Sequence, residues 1–216
     1  MNLKDRLQNA RLLLVTDSRP DLALRVAAAV RGGVDIVQLR DKRSSREELL
    51  PLARELKEIC EQAGVLFTVN DDVELARLSG AAGVHLGQED GPLASAHETL
   101  GSDAIVGRSV GTVEEAIEAV QEGADYLGVG TIYATPTKPE EEAVGPALLR
   151  ELAWTGVSVP WFAIGGVTLE TAREVAEAGA PGFAVVRAVL DAEDPGAAAR
   201  ELRSFLTDVL RNQAPA

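Results

Sequence analysis

The sequence predicts an α/β fold, a single (β/α)8 TIM barrel, and three observations support this prediction. Short β-branched segments alternate eight times with segments of helical periodicity, which is the pattern of a parallel sheet covered by helices. Eight such units in 216 residues match the size of a closed barrel. No linker or low-complexity tract divides the chain. We therefore expect one domain over residues 1–216, with the barrel core at about residues 11–206.

The predicted strands are short runs rich in branched residues. They cover residues 12–16, 36–40, 66–70, 83–87, 105–109, 126–130, 161–165 and 183–187. The predicted helices follow them at residues 22–30, 45–64, 73–81, 92–101, 113–124, 146–156, 169–180 and 195–211. Several of these helical segments close with glycine followed by Ala or Val, as helices do when a left-handed residue ends them. An open doubly wound sheet is the alternative, but no Gly-x-Gly-x-x-Gly follows the first strand to support it.

The composition argues against several classes of partner. The chain has 34 acidic and 21 basic residues, a formal charge of -13, and such a field repels nucleic acid and anionic membranes. No apolar stretch approaches the roughly 20 residues that a membrane-spanning helix needs. The N-terminal residues lack the apolar core and cleavage site of a secretory signal. We therefore expect a cytoplasmic protein with small-molecule partners, without nucleic acid or membrane partners, and forming a homo-oligomer.

The single cysteine and the two histidines are not assigned a catalytic role. Cys60 is the only cysteine and lies in a helical pattern, so we expect a packed thiol. His85 is expected to be packed or hydrogen-bonded within a strand, and His97 lies on a predicted helix.

Cations gather at the predicted strand ends. In a barrel of this kind the carboxyl ends of the strands surround the site, so residues that end different strands converge. Five cations fall at or after such ends: Arg40, Lys42, Arg108, Lys138 and Arg187. Each one alone is more often solvated or paired with an acid. Together, in an acidic chain, they indicate a phosphate or diphosphate ligand, because Arg suits bidentate contacts and Lys provides a point charge.

Carboxylates follow two neighbouring strands. Asp71 ends strand three and Asp90 follows strand four, so the two could meet at the barrel mouth. Mg²⁺ is suited to such a pair because it takes few protein ligands and keeps several waters. The alternative for Asp90 is a role in the turn before Pro92. Asp72 stands directly before a predicted helix, and we expect it to cap that helix rather than to bind metal.

Two loops are also informative. Gly165-Gly166 after strand seven lets backbone N–H groups approach a ligand closely, as in the phosphate sites of barrels. The loop over residues 131–145 is longer than the two to six residues usual in such units, so we expect an active-site lid. Its central sequence is Thr135-Pro136-Thr137-Lys138-Pro139.

The strand-end motifs together resemble those of thiamine phosphate synthase, the enzyme family that joins the pyrimidine and thiazole halves of thiamine. The resemblance runs from about residue 11 to residue 206. It rests on six motifs in order: VQLRDK, VNDDVELA, GVHLGQED, DYLGVGTIYATPTK, AIGGVT and GFAVVRAV. It implies a transferase that condenses hydroxymethylpyrimidine diphosphate with a thiazole phosphate, carboxylated or not, and that uses Mg²⁺ as cofactor.

The resemblance also implies roles for the matching residues. The residues implied for the pyrimidine diphosphate are Gln38, Leu39, Arg40, Asp41, Lys42, Asn70, Ser109 and Lys138. Those implied for the thiazole substrate are Thr135, Thr137, Gly166 and the backbone at Val186 and Arg187, and Pro136 is a further implied substrate-binding residue. Asp71 and Asp90 would hold Mg²⁺. The catalytic set would be Arg40, Lys42, Ser109 and Lys138, which would assist the dissociative loss of diphosphate before the thiazole nitrogen captures the pyrimidine methylene cation.

Three positions depart from the family pattern. Arg187 stands where Ser is frequent, Gly111 where a His would be placed, and Thr131 where Pro is usual. These departures concern substrate contacts more than the reaction. Two alternative functions remain open: a paralogue like the thiazole tautomerase group, and a catalytically silent barrel that binds phosphometabolites. The two aspartates together with Lys138 favour the synthase.

Overall fold

Eight parallel strands close into a barrel in chain order, β1 to β8. The computed structural model describes residues 2–135 and 142–213. The strands are β1 (Leu12–Val15), β2 (Ile36–Leu39), β3 (Leu66–Asn70), β4 (Gly83–Leu86), β5 (Ile105–Val110), β6 (Tyr126–Val129), β7 (Trp161–Ala163) and β8 (Phe183–Val185). β8 pairs with β1, where Leu12 lies opposite Phe183, so the sheet has no open edge. The predicted (β/α)8 barrel is confirmed.

Ten helices occur within the described residues. They are α1 (Leu3–Gln8), α2 (Leu22–Arg31), α3 (Arg46–Gln62), α4 (Val73–Ser79), α5 (Leu93–Leu100), α6 (Val113–Gln121), α7 (Pro146–Thr155), α8 (Leu169–Glu177), α9 (Arg187–Leu190) and α10 (Pro195–Gln213). Eight of them match the predicted helices, whereas α1 and α9 were not predicted. None of these helices is both long and apolar enough to cross a membrane.

The apolar side chains form two layers because successive residues of a strand point to opposite sides of the sheet. The layer inside the barrel contains Leu7, Ala10, Leu13, Val15, Ile36, Leu66, Ile105, Tyr126, Phe162 and Ala184. The larger layer lies between the strands and the helices and takes the alternate strand positions, such as Leu12, Leu14 and Val37. Cys60 of α3 is fully buried in this outer layer, as predicted, and burial raises the pKa of its thiol to about 12.

Helix α1 closes the end of the barrel at which the strands begin. It starts with a capping box, in which the Asn2 side chain accepts from the Asp5 N–H at 2.7 Å and the Asp5 carboxylate accepts from the Asn2 N–H. Its Leu7 is 1% exposed and packs in the inner layer directly before β1. The opposite end of the barrel is therefore the one left for a ligand.

The inner layer changes from apolar to polar toward the carboxyl ends of the strands. In β2, Ile36 is followed two residues later by Gln38, and in β5, Ile105 is followed four residues later by Ser109. The ladder between β3 and β4 places Asn70 opposite His85. The strand register therefore collects polar side chains at one end of an otherwise apolar interior.

We predict that Leu7→Ala lowers the free energy of unfolding by about 2–5 kcal/mol, because it removes a fully buried side chain and leaves a cavity. The matched control is Leu24→Ala on α2, whose side chain is 76% exposed and whose loss should change stability by less than about 0.5 kcal/mol. Urea unfolding followed by circular dichroism measures both. Equal midpoints for the two variants would show that α1 does not close the barrel.

Candidate active site

A cavity of about 570 Å³ opens at the carboxyl ends of the strands. Residues from all parts of the barrel line it, as expected for this fold. The predicted site residues that the structure brings together there are Gln38, Arg40, Lys42, Asn70, Asp71, Asp90, Ser109, Thr135, Gly166, Val186 and Arg187. Pro136, Thr137 and Lys138 lie outside the described residues.

Two predicted substrate-binding residues do not line this cavity. Leu39 is 1% exposed and packs in the layer between strands and helices, because it follows the inward-facing Gln38 and so points outward. The Asp41 carboxylate accepts from the Arg43 N–H at 2.7 Å and from the Ser44 hydroxyl at 3.2 Å. These hydrogen bonds stabilise the turn after β2, in which Arg40 and Lys42 lie.

Arg108 was expected among the cations at the rim, and this expectation is wrong. In β5, Ile105 packs inside the barrel and Ser109 lines the cavity, so Arg108 points outward. Its guanidinium is buried and donates to the carbonyl oxygens of Gly91, at 2.8 Å, and of Gly87. Arg108 therefore braces the loop after β4.

The carboxyl groups of Asp71 and Asp90 meet at the cavity. Asp71 has a φ of 65°, a left-handed conformation that aspartate tolerates better than most residues, and its N–H donates to the His85 carbonyl oxygen at 2.8 Å. Burial raises the pKa of Asp71 to about 6, assisted by the hydrogen bond with Asp90 and the charge of that carboxylate; Lys42 and Arg40 oppose the rise. Burial beside a second carboxyl group therefore disfavours the charged form of Asp71.

This carboxyl pair fits a hard divalent cation. Within the described residues, no group of three or more His, Cys, Asp or Glu side chains could hold a metal ion. Two carboxylates are nevertheless sufficient for Mg²⁺, which keeps several waters and completes its shell with ligand phosphate oxygens. Asp90 also serves its turn, since its carboxylate accepts from the Gly87 N–H at 2.7 Å. Asp90 therefore has the role in the turn before Pro92 that was considered as an alternative, and this hydrogen bond also holds its carboxylate at the cavity.

Asp72 caps helix α4, as predicted. Its carboxylate accepts from the Leu75 N–H at 2.8 Å and from the Arg46 guanidinium at 2.7 Å. Both contacts lie away from the cavity, so the two adjacent aspartates have different surroundings.

Three cations line the cavity within the described residues. Arg40, Lys42 and Arg187 make no side-chain hydrogen bond and no ion pair within 4 Å to any part of the chain that the structure describes. Several other arginines are paired with acids, as in Arg46 with Asp72 and Arg77 with Glu74. In a chain of formal charge -13, these cavity cations remain available to an anionic ligand.

The bottom of the cavity contains a hydrogen-bonded pair of amide side chains next to apolar residues. The Gln38 amide Nε2 donates to Asn70 Oδ1 at 2.6 Å across β2 and β3. This bond leaves the Gln38 carbonyl oxygen as an acceptor and the Asn70 amide N–H groups as donors on one edge. Ile164 provides apolar surface beside it, and the fully buried rings of Tyr126 and Phe162 pack behind.

The two residues after β7 must be glycines because the segment at residues 131–133 packs closely against them. Gly165 and Gly166 have φ of 96° and 66°, and a Cβ on them would lie 2.8 Å from Thr131 Cα and 2.7 Å from Tyr133 Cβ. The Tyr133 N–H donates to the Gly165 carbonyl oxygen at 3.0 Å. The start of the long loop thus packs on the glycine pair. The predicted lid also includes residues 136–141, which lie outside the described residues.

His85 is packed and hydrogen-bonded in its strand, as predicted, but it also lines the cavity, which the sequence interpretation did not foresee. It is 6% exposed, lines the cavity, and its Nε2 lies 2.9 Å from the Ser109 Oγ. The signal was present in the sequence, because His85 is two residues from Gly83 in a strand whose alternate positions face the interior.

Comparisons with known proteins identify the family. Residues 12–189 match the family model described as thiamine monophosphate synthase. The thiamine-phosphate synthase of Natronomonas pharaonis is 49% identical over 190 residues, which cover 87% of this chain and 88% of that protein. The thiamine-phosphate synthase of Streptomyces avermitilis is 46% identical, with 94% and 96% covered.

Some relatives are longer proteins, and one relative has a solved structure. The thiamine-phosphate synthase of Synechocystis sp. is 45% identical over 96% of this chain, but the chain spans only 60% of that protein's length. The structure of thiamine phosphate pyrophosphorylase from Pyrococcus furiosus superposes with a TM-score of 0.84 at 37% identity, covering 97% of this chain and 100% of that one. The family match over residues 12–189, together with relatives of similar length at 46% and 49% identity, shows that the chain belongs to the thiamine monophosphate synthase family.

Proposed function

We propose that the protein is a thiamine phosphate synthase. It condenses hydroxymethylpyrimidine diphosphate with a thiazole phosphate, carboxylated or not, and releases diphosphate in thiamine biosynthesis. The proposal is supported above all by the carboxyl pair of Asp71 and Asp90, which shares a cavity with Arg40 and Lys42, two cations that have no acidic partner within 4 Å among the described residues. A diphosphate ester together with a divalent cation would satisfy both groups, because Asp71 and Asp90 would hold the metal and Arg40 and Lys42 would bind the diphosphate.

The pyrimidine diphosphate occupies the side of the cavity formed by β2 to β5. Arg40 and Lys42 bind the diphosphate oxygens, and the edge formed by Gln38 and Asn70 offers an acceptor and donors to the aminopyrimidine ring. Asp71 and Asp90 would hold Mg²⁺, which would supply positive charge to the departing diphosphate. Lys138 is proposed as a further diphosphate ligand from the long loop.

The reaction requires charge stabilisation rather than a strong base or nucleophile. The bond between the pyrimidine methylene carbon and the diphosphate oxygen breaks, and its electron pair leaves with the diphosphate. Arg40, Lys42 and the Ser109 hydroxyl stabilise the negative charge that develops there. The lone pair of the thiazole nitrogen then forms the new C–N bond with the methylene cation. The apolar side chain of Ile164, which lines the cavity, would limit access of water, which would otherwise capture that cation.

The thiazole substrate occupies the side formed by the ends of β6 to β8. Thr135, Gly166, Val186 and Arg187 line this part of the cavity. Arg187 places an additional unpaired cation where the substrate's phosphate or carboxylate binds, and Pro136 and Thr137 are proposed contacts from the same loop. The departure at Arg187 thus strengthens anion binding.

We further propose a cytoplasmic, homo-oligomeric enzyme whose other partners are its two small-molecule substrates. The formal charge of -13 disfavours binding to nucleic acid and to anionic membranes, since both are polyanionic.

The proposal predicts that the purified protein forms thiamine phosphate when both substrates and Mg²⁺ are present, and that chelation with EDTA abolishes this formation until Mg²⁺ is restored. Liquid chromatography with mass detection measures the product, and reactions lacking one substrate are the controls. Folded protein that gives no product above the blank would contradict the synthase. A tautomerase-like paralogue would instead isomerise the thiazole alone, and a sensor would bind ligands without turnover.

The two adjacent aspartates predict a contrast between isosteric variants. Asp71→Asn removes a metal ligand, so we expect Mg²⁺-dependent kcat/KM to fall by roughly 100-fold or more and Mg²⁺ binding in calorimetry to weaken. Asp72→Asn keeps a good helix cap and loses only a half-exposed ion pair with Arg46, so kcat/KM should stay within about twofold. Equal losses in the two variants would show that the metal ligand and the cap are assigned incorrectly.

A further inference from the structure

His85 is held in a slot that fixes the orientation of its ring. A Cβ on Gly107 would lie 2.5 Å from His85 Nδ1, and a Cβ on Gly128 would lie 3.2 Å from its Cε1, so the two glycines leave the space that the imidazole fills. The Tyr126 ring packs against it with centroids 5.3 Å apart. The Nε2 edge therefore points toward the cavity side, where Ser109 Oγ lies 2.9 Å away.

Ser109 is held from a second direction. Its carbonyl oxygen accepts from Gln88 Nε2 at 2.8 Å, which fixes the backbone at the end of β5. The Ser109 hydroxyl still has a rotatable proton, and its contact with His85 decides where that proton points. If the imidazole accepts, the hydroxyl proton is directed to His85 and only lone pairs face the cavity. If the imidazole donates, the hydroxyl proton is free for a ligand.

The charge of the site selects between these two arrangements. The unpaired cations Arg40 and Lys42 make the expected ligand an anion whose oxygens accept hydrogen bonds. If only the lone pairs of the Ser109 hydroxyl faced such a ligand, two groups of acceptors would repel each other. We propose that His85 is a positioning residue that donates its Nε2–H to Ser109 Oγ and so turns the Ser109 hydroxyl proton toward an oxygen of the bound diphosphate. This inference rests on the proposed function for its ligand.

The tautomer of His85 is the first test, and it does not depend on activity. The chain has only two histidines, so a ¹⁵N-labelled His97→Gln variant assigns the remaining imidazole signals in a two-bond ¹H–¹⁵N correlation spectrum to His85. His97 lies on α5 outside the site, with its Nε2 3.2 Å from the Gly123 carbonyl oxygen, and its replacement should leave activity unchanged. A proton on Nε2 of His85, in the neutral or the charged ring, supports the proposal, and an unprotonated Nε2 overturns it.

A set of variants tests the role in binding and turnover. His85→Gln places an amide N–H near the Nε2 position, His85→Asn carries the same amide but reaches only the Nδ1 position, and His85→Leu has no donor. We expect kcat/KM to fall by about 10- to 100-fold for the Leu and Asn variants and by less than about fivefold for the Gln variant. Urea midpoints, measured in parallel, identify any loss caused by unfolding. Equal losses in the Gln and Leu variants, with folded protein, would contradict a donor role.

A double-mutant cycle with Ser109→Ala tests whether His85 acts through Ser109. In the Ser109→Ala background, His85→Leu should cost less than about threefold, because the hydroxyl that it orients is already absent. A full additional loss in that background would overturn the proposal.

Calorimetry with inorganic diphosphate and Mg²⁺ separates this inference from the proposed function. If the wild-type protein binds diphosphate but forms no thiamine phosphate, the proposed reaction fails, and the affinity of the three His85 variants for diphosphate still tests the inference. Affinity retained by His85→Gln and lost by His85→Leu supports it, and unchanged affinity in all three contradicts it.

Discussion

The alternation of side chains along eight parallel strands in a closed barrel is the constraint on which the site depends. Each strand has only two orientations for its residues, and the closed register fixes which of them face the interior. The positions inside are apolar near the start of the strands and polar near their ends, so Gln38, Asn70, His85 and Ser109 share one cavity. The same rule turns Leu39 and Arg108 outward, although they lie directly beside residues of the site.

Charge compensation explains how an acidic chain can provide a site for an anion. Arg40, Lys42 and Arg187 line the cavity without an acidic partner within 4 Å in the described residues, whereas arginines such as Arg46 and Arg77 are paired with acids. The carboxyl groups of Asp71 and Asp90, in contrast, contact each other. The raised pKa of Asp71 reflects its burial beside this second carboxylate. A divalent cation and a diphosphate would balance both sets of charges. This complementarity supports the proposal that the site binds both and stabilises the negative charge of a leaving group.

The sequence predicted the eight strands, eight of the ten helices and the cap at Asp72, because these depend on local patterns of apolar residues, glycines and capping side chains. It did not predict α1, whose single buried Leu7 gives too short a pattern, or the one-turn α9.

Arg108 was misplaced because counting residues from the strand end ignores the alternation within β5. The contact of His85 with Ser109 was missed because it joins two strands, and only the barrel register brings the two residues to 2.9 Å. The explanation for Gly165 and Gly166 also needed the structure, since the segment that packs on them is more than thirty residues away in sequence.

The strand ends of β2, β3 and β4 are proposed to build one site for Mg²⁺ and diphosphate. A crystal structure of the protein grown with Mg²⁺ and inorganic diphosphate would show where both bind. We expect a metal ion bound by the carboxylates of Asp71 and Asp90, with diphosphate oxygens on the metal and against Arg40 and Lys42. A diphosphate bound elsewhere, such as beside the outward-facing Arg108, or a metal ion that avoids Asp71, would contradict it.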